Sequence, residues 1–454
     1  MNKQPQKSSQ LELPLAPTGE AVVGSRSGEA LTAQTEEPRS GTSDLMQRAI
    51  EPSNMLAALK RVRRNGGGAG VDRMSVDQLP EYLRQHWPTI RKRLLDGTYE
   101  PGPVRTVEIA KPSGGTRKLS IPTVLDRLIQ QSLLQVLQPI FDASFSEYSY
   151  GFRPGRSAHQ ALKQARDYVA SGKAVVVDVD LEKFFDHVDH DMLMSKLAKQ
   201  IADKRMLILV RRYLRAGTLS DGMLQERREG TPQGGPLSPL LANVMLDEMD
   251  KLLEQRGRAF VRYADDCNVY VANERVGQRV LAQMRKVYAR LKLRINENKT
   301  AVAAAESRKL LGYTIRSRGR CTQLSIAQTS MKKFKDTVRK LTTPTKSQSI
   351  ATIVSSLAPL MRGWGNYFAL SSTEERWKLE QWICRRLRML QIRAWGSRKR
   401  AWRGLRALGI PARKLHFELE KSWGRHWHWT DLSVVRLALP TRHFQQMGLP
   451  SMLA

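Results

Sequence analysis

The twelve residues FVRYADDCNVYV, 260–271, decide the fold of this chain. Two short runs rich in Val, Tyr and Phe flank the adjacent carboxylates Asp265 and Asp266. Such runs predict β-strands, and a gap of three or four residues between them predicts a hairpin. The tip then carries two acids and no basic residue, so negative charge collects on a tight turn. Oxygen donors in that setting suit a hard divalent cation such as Mg²⁺, which takes one or two carboxylates and completes its shell from substrate phosphates. An isolated Asp-Asp pair is more often an ordinary polar turn, so the rest of the chain has to choose between the two.

A second acidic site lies upstream in AVVVDVDLEKFFDHVDHDML, 174–193. Val175, Val177 and Val179 alternate with Val176, Asp178 and Asp180, a period of two that puts both acids on one face of a strand ending near Asp180. Asp189 is placed to cap a helix beginning around His190. An Asp at the end of a buried strand is costly unless paired or bound to a metal. Two strands delivering acids to the same end of one sheet would build a two-metal site for phosphoryl transfer, with ions about 3.5–4 Å apart.

The strings DVDLEKFFD (178–186), GTPQGGPLSPLLANVMLDEMD (230–250), RYADD (262–266), NENKT (296–300) and LLGY (310–313) resemble, in order and spacing, the successive blocks of a reverse transcriptase. More narrowly, IPTVLDRLIQQSLLQVLQPIFD (121–142) and YGFRPGRSAHQAL (150–162) resemble group II intron-encoded reverse transcriptase/maturases, especially the bacterial class C subgroup. The resemblance runs from about residue 48 to about 415. It implies an α+β right-hand polymerase, with fingers and an antiparallel palm sheet, followed by an all-α basic thumb or maturase domain. It also implies an RNA-directed DNA polymerase using two Mg²⁺ ions, for which Mn²⁺ could substitute, held by Asp180, Asp265 and Asp266. The expected partners are the group II intron RNA, an RNA template with a DNA primer, dNTPs and target DNA.

The same resemblance assigns roles along the chain. Lys111 and Arg117 flank a KPSGG turn in a fingers hairpin, where the family places a Lys and an Arg over the incoming triphosphate. Phe185, five residues after Asp180, matches the aromatic that stacks under the nucleotide sugar and excludes a 2′-hydroxyl; Phe184 is the other candidate, and one of the two belongs in the core. Gln233 can hydrogen-bond in a minor groove, and the adjacent glycines let the backbone approach closely. Lys299 resembles the Lys of the following block, which supports nucleotide and primer binding. Lys60, Arg61, Arg63 and Arg64 fall in the N-terminal extension that touches template RNA, and Arg153 and Arg156 in a loop able to meet template phosphates.

Composition agrees. The 454 residues include 75 Lys and Arg against 43 Asp and Glu, a net charge of +32, which points to a polyanionic partner, most simply nucleic acid. Cys267, Cys321 and Cys384 form no CxxC pair, which fits a reducing compartment and excludes a zinc ribbon. Cys267 reads as a small hydrophobe in the hairpin. No apolar run approaches the roughly 18–20 residues of a membrane span, and the N-terminus has neither a signal-peptide core nor an acid-poor transit peptide. A bacterial cytoplasmic, nucleic-acid-associated location is expected.

The domain organisation expected is a disordered leader over 1–44, an N-terminal extension and the start of the fingers over 45–100, fingers and palm over 101–320, thumb or maturase domain over 321–415, and a tail, 416–454, that could bind DNA. Between 331 and 415 there are 20 Lys and Arg against 4 Asp and Glu. Helices are predicted at roughly 329–341, 346–369 and 373–395, and basic faces interleaved with aromatics suit RNA. Arg385, Arg386, Arg388, Arg398, Lys399 and Arg400 are the RNA contacts this predicts. The tail lacks the pattern of an HNH nuclease, so no endonuclease domain is expected. A reverse transcriptase of another system (retron, diversity-generating or defence) and a splicing-only RNA-binding maturase are the alternatives; the intact acids oppose the second.

Overall fold

The computed structural model describes residues 42–110, 116–220, 223–225, 227–319, 321–343, 348–420 and 426–453. Most of the expected leader, 1–41, and the KPSGG turn with Lys111 lie outside them. Packing divides the chain into two units. One takes the residues up to Ala161 together with Val177–Val302; the other takes Leu162–Val176 with Ala303–Ala454.

Among the described residues the strands are β1 (Val104–Ala110), β2 (Thr116–Ile121), β3 (Val175–Val179), β4 (Thr218–Ser220), β5 (Met223–Gln225), β6 (Ala259–Tyr263), β7 (Asp266–Val271), β8 (Ala301–Ala304), β9 (Lys309–Leu310), β10 (Tyr313–Arg318) and β11 (Cys321–Ile326). They form three sheets, ordered β2-β1-β4-β5, β6-β7-β3-β8 and β11-β10-β9.

In the first unit, β1 and β2 form the expected antiparallel hairpin, with Ile109 opposite Arg117. Helix Val124–Asp142 follows, started by Thr123, whose Oγ1 accepts from the Asp126 amide at 3.1 Å. Helix Pro52–Asn65 packs against it through Met55, Ala58, Leu59 and Val62. That leaves Lys60, Arg61, Arg63 and Arg64 on the solvent face.

The sheet β6-β7-β3-β8 follows from its composition. Every residue of β7 after Asp266 is buried, and β3 buries Val176, Val177 and Val179. Helix Ser238–Gln255 covers β6 and helix Glu274–Arg290 covers β7; the two helices also touch each other. Helix His190–Ala198 begins where Asp189 accepts from the Met192 amide at 2.9 Å, the predicted cap.

The second unit holds β9–β11 and then helices at Gln328–Leu341, Ile350–Tyr367 and Thr373–Trp395, close to the three predicted. The segment from 321 therefore opens with a strand, and its helical part begins at Gln328. Phe334, Trp364 and Phe368 stack in series at 4.3 Å between ring centres, and Tyr313 joins Phe368 at 4.9 Å. The C-terminal segment folds onto helix Thr373–Trp395. Buried Glu380 accepts from the Met452 amide at 3.0 Å and from Gln445 and Ser451, while Arg376 donates to the Met452 carbonyl at 3.0 Å.

Candidate active site and nucleic-acid interface

The two acids of the quoted hairpin sit on a tighter turn than expected. Tyr263 pairs directly with Asp266, so the loop is only Ala264 and Asp265. Ala264 takes φ +59° and Asp265 is not left-handed, the pattern of a type II′ turn, whose first position favours glycine. An alanine there carries strain on the order of 1 kcal/mol.

The strain is held in place from behind. Arg262, fully buried, donates through Nη1 to the Ala264 carbonyl at 2.8 Å and to Asn243 Oδ1 at 2.8 Å. Its Nε reaches both oxygens of buried Asp250 at 2.8 and 2.9 Å, and Nη2 reaches Asp250 at 2.6 Å and Ser149 Oγ at 2.7 Å. Burial works against the guanidinium's charge, but the Asp250 carboxylate outweighs it and raises the Arg262 pKa. Asn243 donates in turn to the Gly151 carbonyl at 2.9 Å. Gly151 lies so close to the turn that a Cβ would come within 2.2 Å of the Ala264 nitrogen. The YGFRPG loop therefore buttresses the acidic turn.

Asp180 follows β3, which neighbours β7, so its acid reaches the same end of the sheet as the turn. The NENKT segment holds it. The Asp180 carbonyl accepts from the Asn296 amide at 2.8 Å, the Asp180 amide donates to Thr300 Oγ1 at 3.2 Å, and Lys299 Nζ lies 3.3 Å from both carboxylate oxygens. Asp266 opens to solvent, yet the protein around its carboxyl and the charges of Asp265, Asp178 and Asp180 push its pKa up to about 7, with Lys299 opposing. Asp178 thus belongs to the cluster, a member the sequence reading left on the strand face.

Asp178, Asp180 and Asp265 crowd Asp266 with like charge, a crowding that a hard cation would relieve, and the donors are all oxygen. Among the described residues no group of three or more His, Cys, Asp or Glu side chains is arranged to hold a metal ion by itself, so an ion here would rest on one or two carboxylates. The acids fit an ion that keeps most of its shell for water and phosphates.

Phe184 and Phe185 divide as two adjacent aromatics must. In the short 3₁₀ turn Phe184–Asp186, Phe184 is 2 % exposed and belongs to the core, whereas Phe185 is half-buried. The Phe185 carbonyl accepts from the Thr231 amide at 2.7 Å, tying the turn to GTPQGG. Gln233 is half-buried, with Nε2 3.5 Å from Asp186 Oδ1, and its carbonyl accepts from the Ser120 amide at 2.8 Å. Gly234 has φ +129°, and a Cβ there would come within 2.5 Å of the Ser120 carbonyl oxygen. Close approach to β2 thus accounts for a glycine at this position.

The predicted basic contacts separate into two classes. Arg153 is 8 % exposed and braces its own loop, donating to Asp142 Oδ1 at 2.7 Å, the Ser149 carbonyl at 2.9 Å and the Ser146 carbonyl. It is not placed to meet a template phosphate. Arg156 is half-buried over the Tyr150 ring. Arg388, 6 % exposed, donates to the Leu439 carbonyl at 2.8 Å, and Arg385 bonds Thr430 and pairs with Asp431. Both contact the C-terminal segment, Arg388 from a buried position and Arg385 from a half-buried one. Arg398, Lys399 and Arg400 are exposed on the first turn of helix Arg398–Ala407. Cys267 is fully buried and burial pushes its thiol up to about 12, as a core residue requires.

Residues 109–315 match the family reverse transcriptase (RNA-dependent DNA polymerase), and residues 331–408 match the group II intron, maturase-specific domain. Protein YkfC of Escherichia coli is 32% identical over 326 residues, 62% of this chain and 86% of that protein. The chain belongs to the reverse transcriptases that carry a group II intron maturase domain. The group II intron-encoded protein LtrA of Lactococcus lactis subsp. cremoris is 39% identical over 196 residues, 43% of this chain but only 33% of LtrA. Nuclear intron maturase 2, mitochondrial, of Arabidopsis thaliana is 30% identical over 177 residues, 30% of this chain and 24% of that protein. The two matched segments contain the acidic turn and the basic helices respectively. As a reverse transcriptase the chain is an RNA-directed DNA polymerase, and the family uses divalent metals. No helix among the described residues is long and apolar enough to cross a membrane.

Proposed function

We propose that this chain copies RNA into DNA at the Asp180, Asp265, Asp266 cluster with two Mg²⁺ ions, and that its maturase region binds the group II intron RNA to promote splicing and retrotransposition into target DNA. The observation that carries this is the convergence of Asp180, Asp265 and Asp266 at one sheet end, with Lys299 as the cation beside them.

The primer 3′-oxygen attacks the α-phosphorus of a dNTP, the bond to pyrophosphate breaks with its electron pair on the leaving oxygen, and the hydroxyl proton passes to water. Bound Mg²⁺ supplies charge neutralisation for the entering and leaving oxygens. Asp180, Asp265 and Asp266 would be the carboxylates that hold it. Lys299 complements phosphate charge once metal takes the carboxylates. Phe185 limits space at the sugar 2′-position, Gln233 meets the base pair's minor-groove side, and Lys111 and Arg117 meet the triphosphate. Lys60, Arg61, Arg63 and Arg64 hold template RNA; Arg386, Arg398, Lys399 and Arg400 hold the intron.

Extension of a DNA primer on an RNA template, with Mg²⁺ or Mn²⁺ and then with a chelator, tests the polymerase half. Extension surviving complete chelation would remove the metal role. Splicing of the intron RNA with and without protein tests the other half, and equal rates would remove it.

A further inference from the structure

Helices Gln328–Leu341 and Thr373–Trp395 place three cations around one indole. Lys335 Nζ lies 5.5 Å from the Trp382 ring centre, the Arg339 guanidinium carbon 5.7 Å and that of Arg386 5.5 Å. Arg386 is aimed by its Nε bond to the buried Thr342 hydroxyl at 2.7 Å. Among the described residues neither Lys335 nor Arg386 has a carboxylate partner, and Arg339 pairs only with Asp336 on its own helix. Three positive charges converge where one acid answers them. Burial, and after it the neighbouring Arg339, lower the Arg386 pKa, as expected where cations crowd a partly desolvated site. Lys378, Trp382, Arg386 and Arg393 recur at spacings that keep them on one helix face, and Arg393 is exposed.

We infer that Lys335, Arg339 and Arg386, set by Trp382, form a phosphate-binding patch for the backbone of folded RNA. This rests on the RNA-binding reading above and sharpens it. Arg386 belongs to the patch while its neighbours Arg385 and Arg388 are occupied internally. Trp382 is an organiser of cations here, not a base-stacking platform, because its ring is already engaged by the three side chains. Backbone phosphates carry no sequence information, so the patch grips by charge and spacing.

The test uses the full chain and a short blunt RNA duplex, with affinity measured across a salt series. The triple variant Lys335→Gln, Arg339→Gln, Arg386→Gln should lose on the order of 10–100-fold in affinity, and its log–log salt slope should flatten by about 2 to 3 units. Trp382→Leu removes no charge, yet it should weaken binding about 5-fold because the cations lose their common platform. Arg386→Lys should weaken it about 3-fold, since an ammonium cannot keep the flat, aimed geometry. Wild-type affinity and slope in a folded triple variant would overturn the patch. So would loss of binding to a polyglutamate peptide with RNA binding intact, which would assign the surface to an acidic protein. Failure of the wild-type chain to bind RNA at all would instead overturn the functional reading beneath it.

Discussion

Replacing Arg262 with Leu should loosen the catalytic turn and the unit that holds it. The guanidinium makes six hydrogen bonds, three to Asp250 and one each to Ser149, Asn243 and the Ala264 carbonyl. The ion pair is 1 % and 0 % exposed at its two ends, so truncation leaves a carboxylate buried without a partner. Breaking a buried pair from one side costs about 3–5 kcal/mol, a large share of a typical stability of about 5–15 kcal/mol. Asp250→Leu should cost a similar amount, since it strands the arginine. The double replacement removes both charges, and a favourable coupling of about 2–3 kcal/mol should return much of the lost stability in a urea titration. Primer extension should not return with it, because the tether on the strained Ala264 is still missing. A single-variant cost below about 1 kcal/mol would refute the assigned burial of the pair. A double variant with both stability and full extension rate would show that the tether does not set the turn.

Phe185→Ala should relax discrimination against ribonucleotides more than it slows dNTP addition; unchanged ribonucleotide incorporation in primer extension would return Phe185 to the core beside Phe184. Lys299→Met should raise the KM for dNTP about tenfold at saturating metal, since one fixed cation facing phosphate is lost; an unchanged KM would confine Lys299 to pairing with Asp180. Asp266 binds its proton more tightly in the folded chain than in the unfolded one, so in metal-free protein its ionisation opposes folding as pH rises from about 4 through about 7. Asp266→Asn should therefore raise the Tm of chelated protein at pH 8 and leave it nearly unchanged at pH 4, and an equal shift at both values would exclude charge crowding as the cause.

The elements that carry local signals were legible in the sequence. Alternation located β3, the Val- and Tyr-rich runs located β6 and β7, and Asp189 marked the start of its helix. The turn length was not legible, because a two-residue loop with alanine at a positive φ contradicts the local preference and survives only through Arg262 and Gly151. The internal partners of Arg153, Arg385 and Arg388 were not legible for a similar reason. A basic run states charge but not which face is covered, and their partners Asp142, Asp431 and Leu439 lie elsewhere in the chain. Lys335, Arg339 and Trp382 were missed as contacts because the patch exists only where two helices meet. Their i,i+4 spacing was a signal for a shared face, though not for what faced it.

Nucleotidyl transfer is proposed to take place at the acids at the end of this sheet. Side-by-side primer extension and RNA binding of Asp265→Ala test it most directly. DNA synthesis on a primed RNA template should fall to background while the affinity for RNA and its salt dependence stay near wild type, because affinity comes from Lys and Arg on phosphates. Near wild-type synthesis by a folded Asp265→Ala protein would remove this acid from the chemistry.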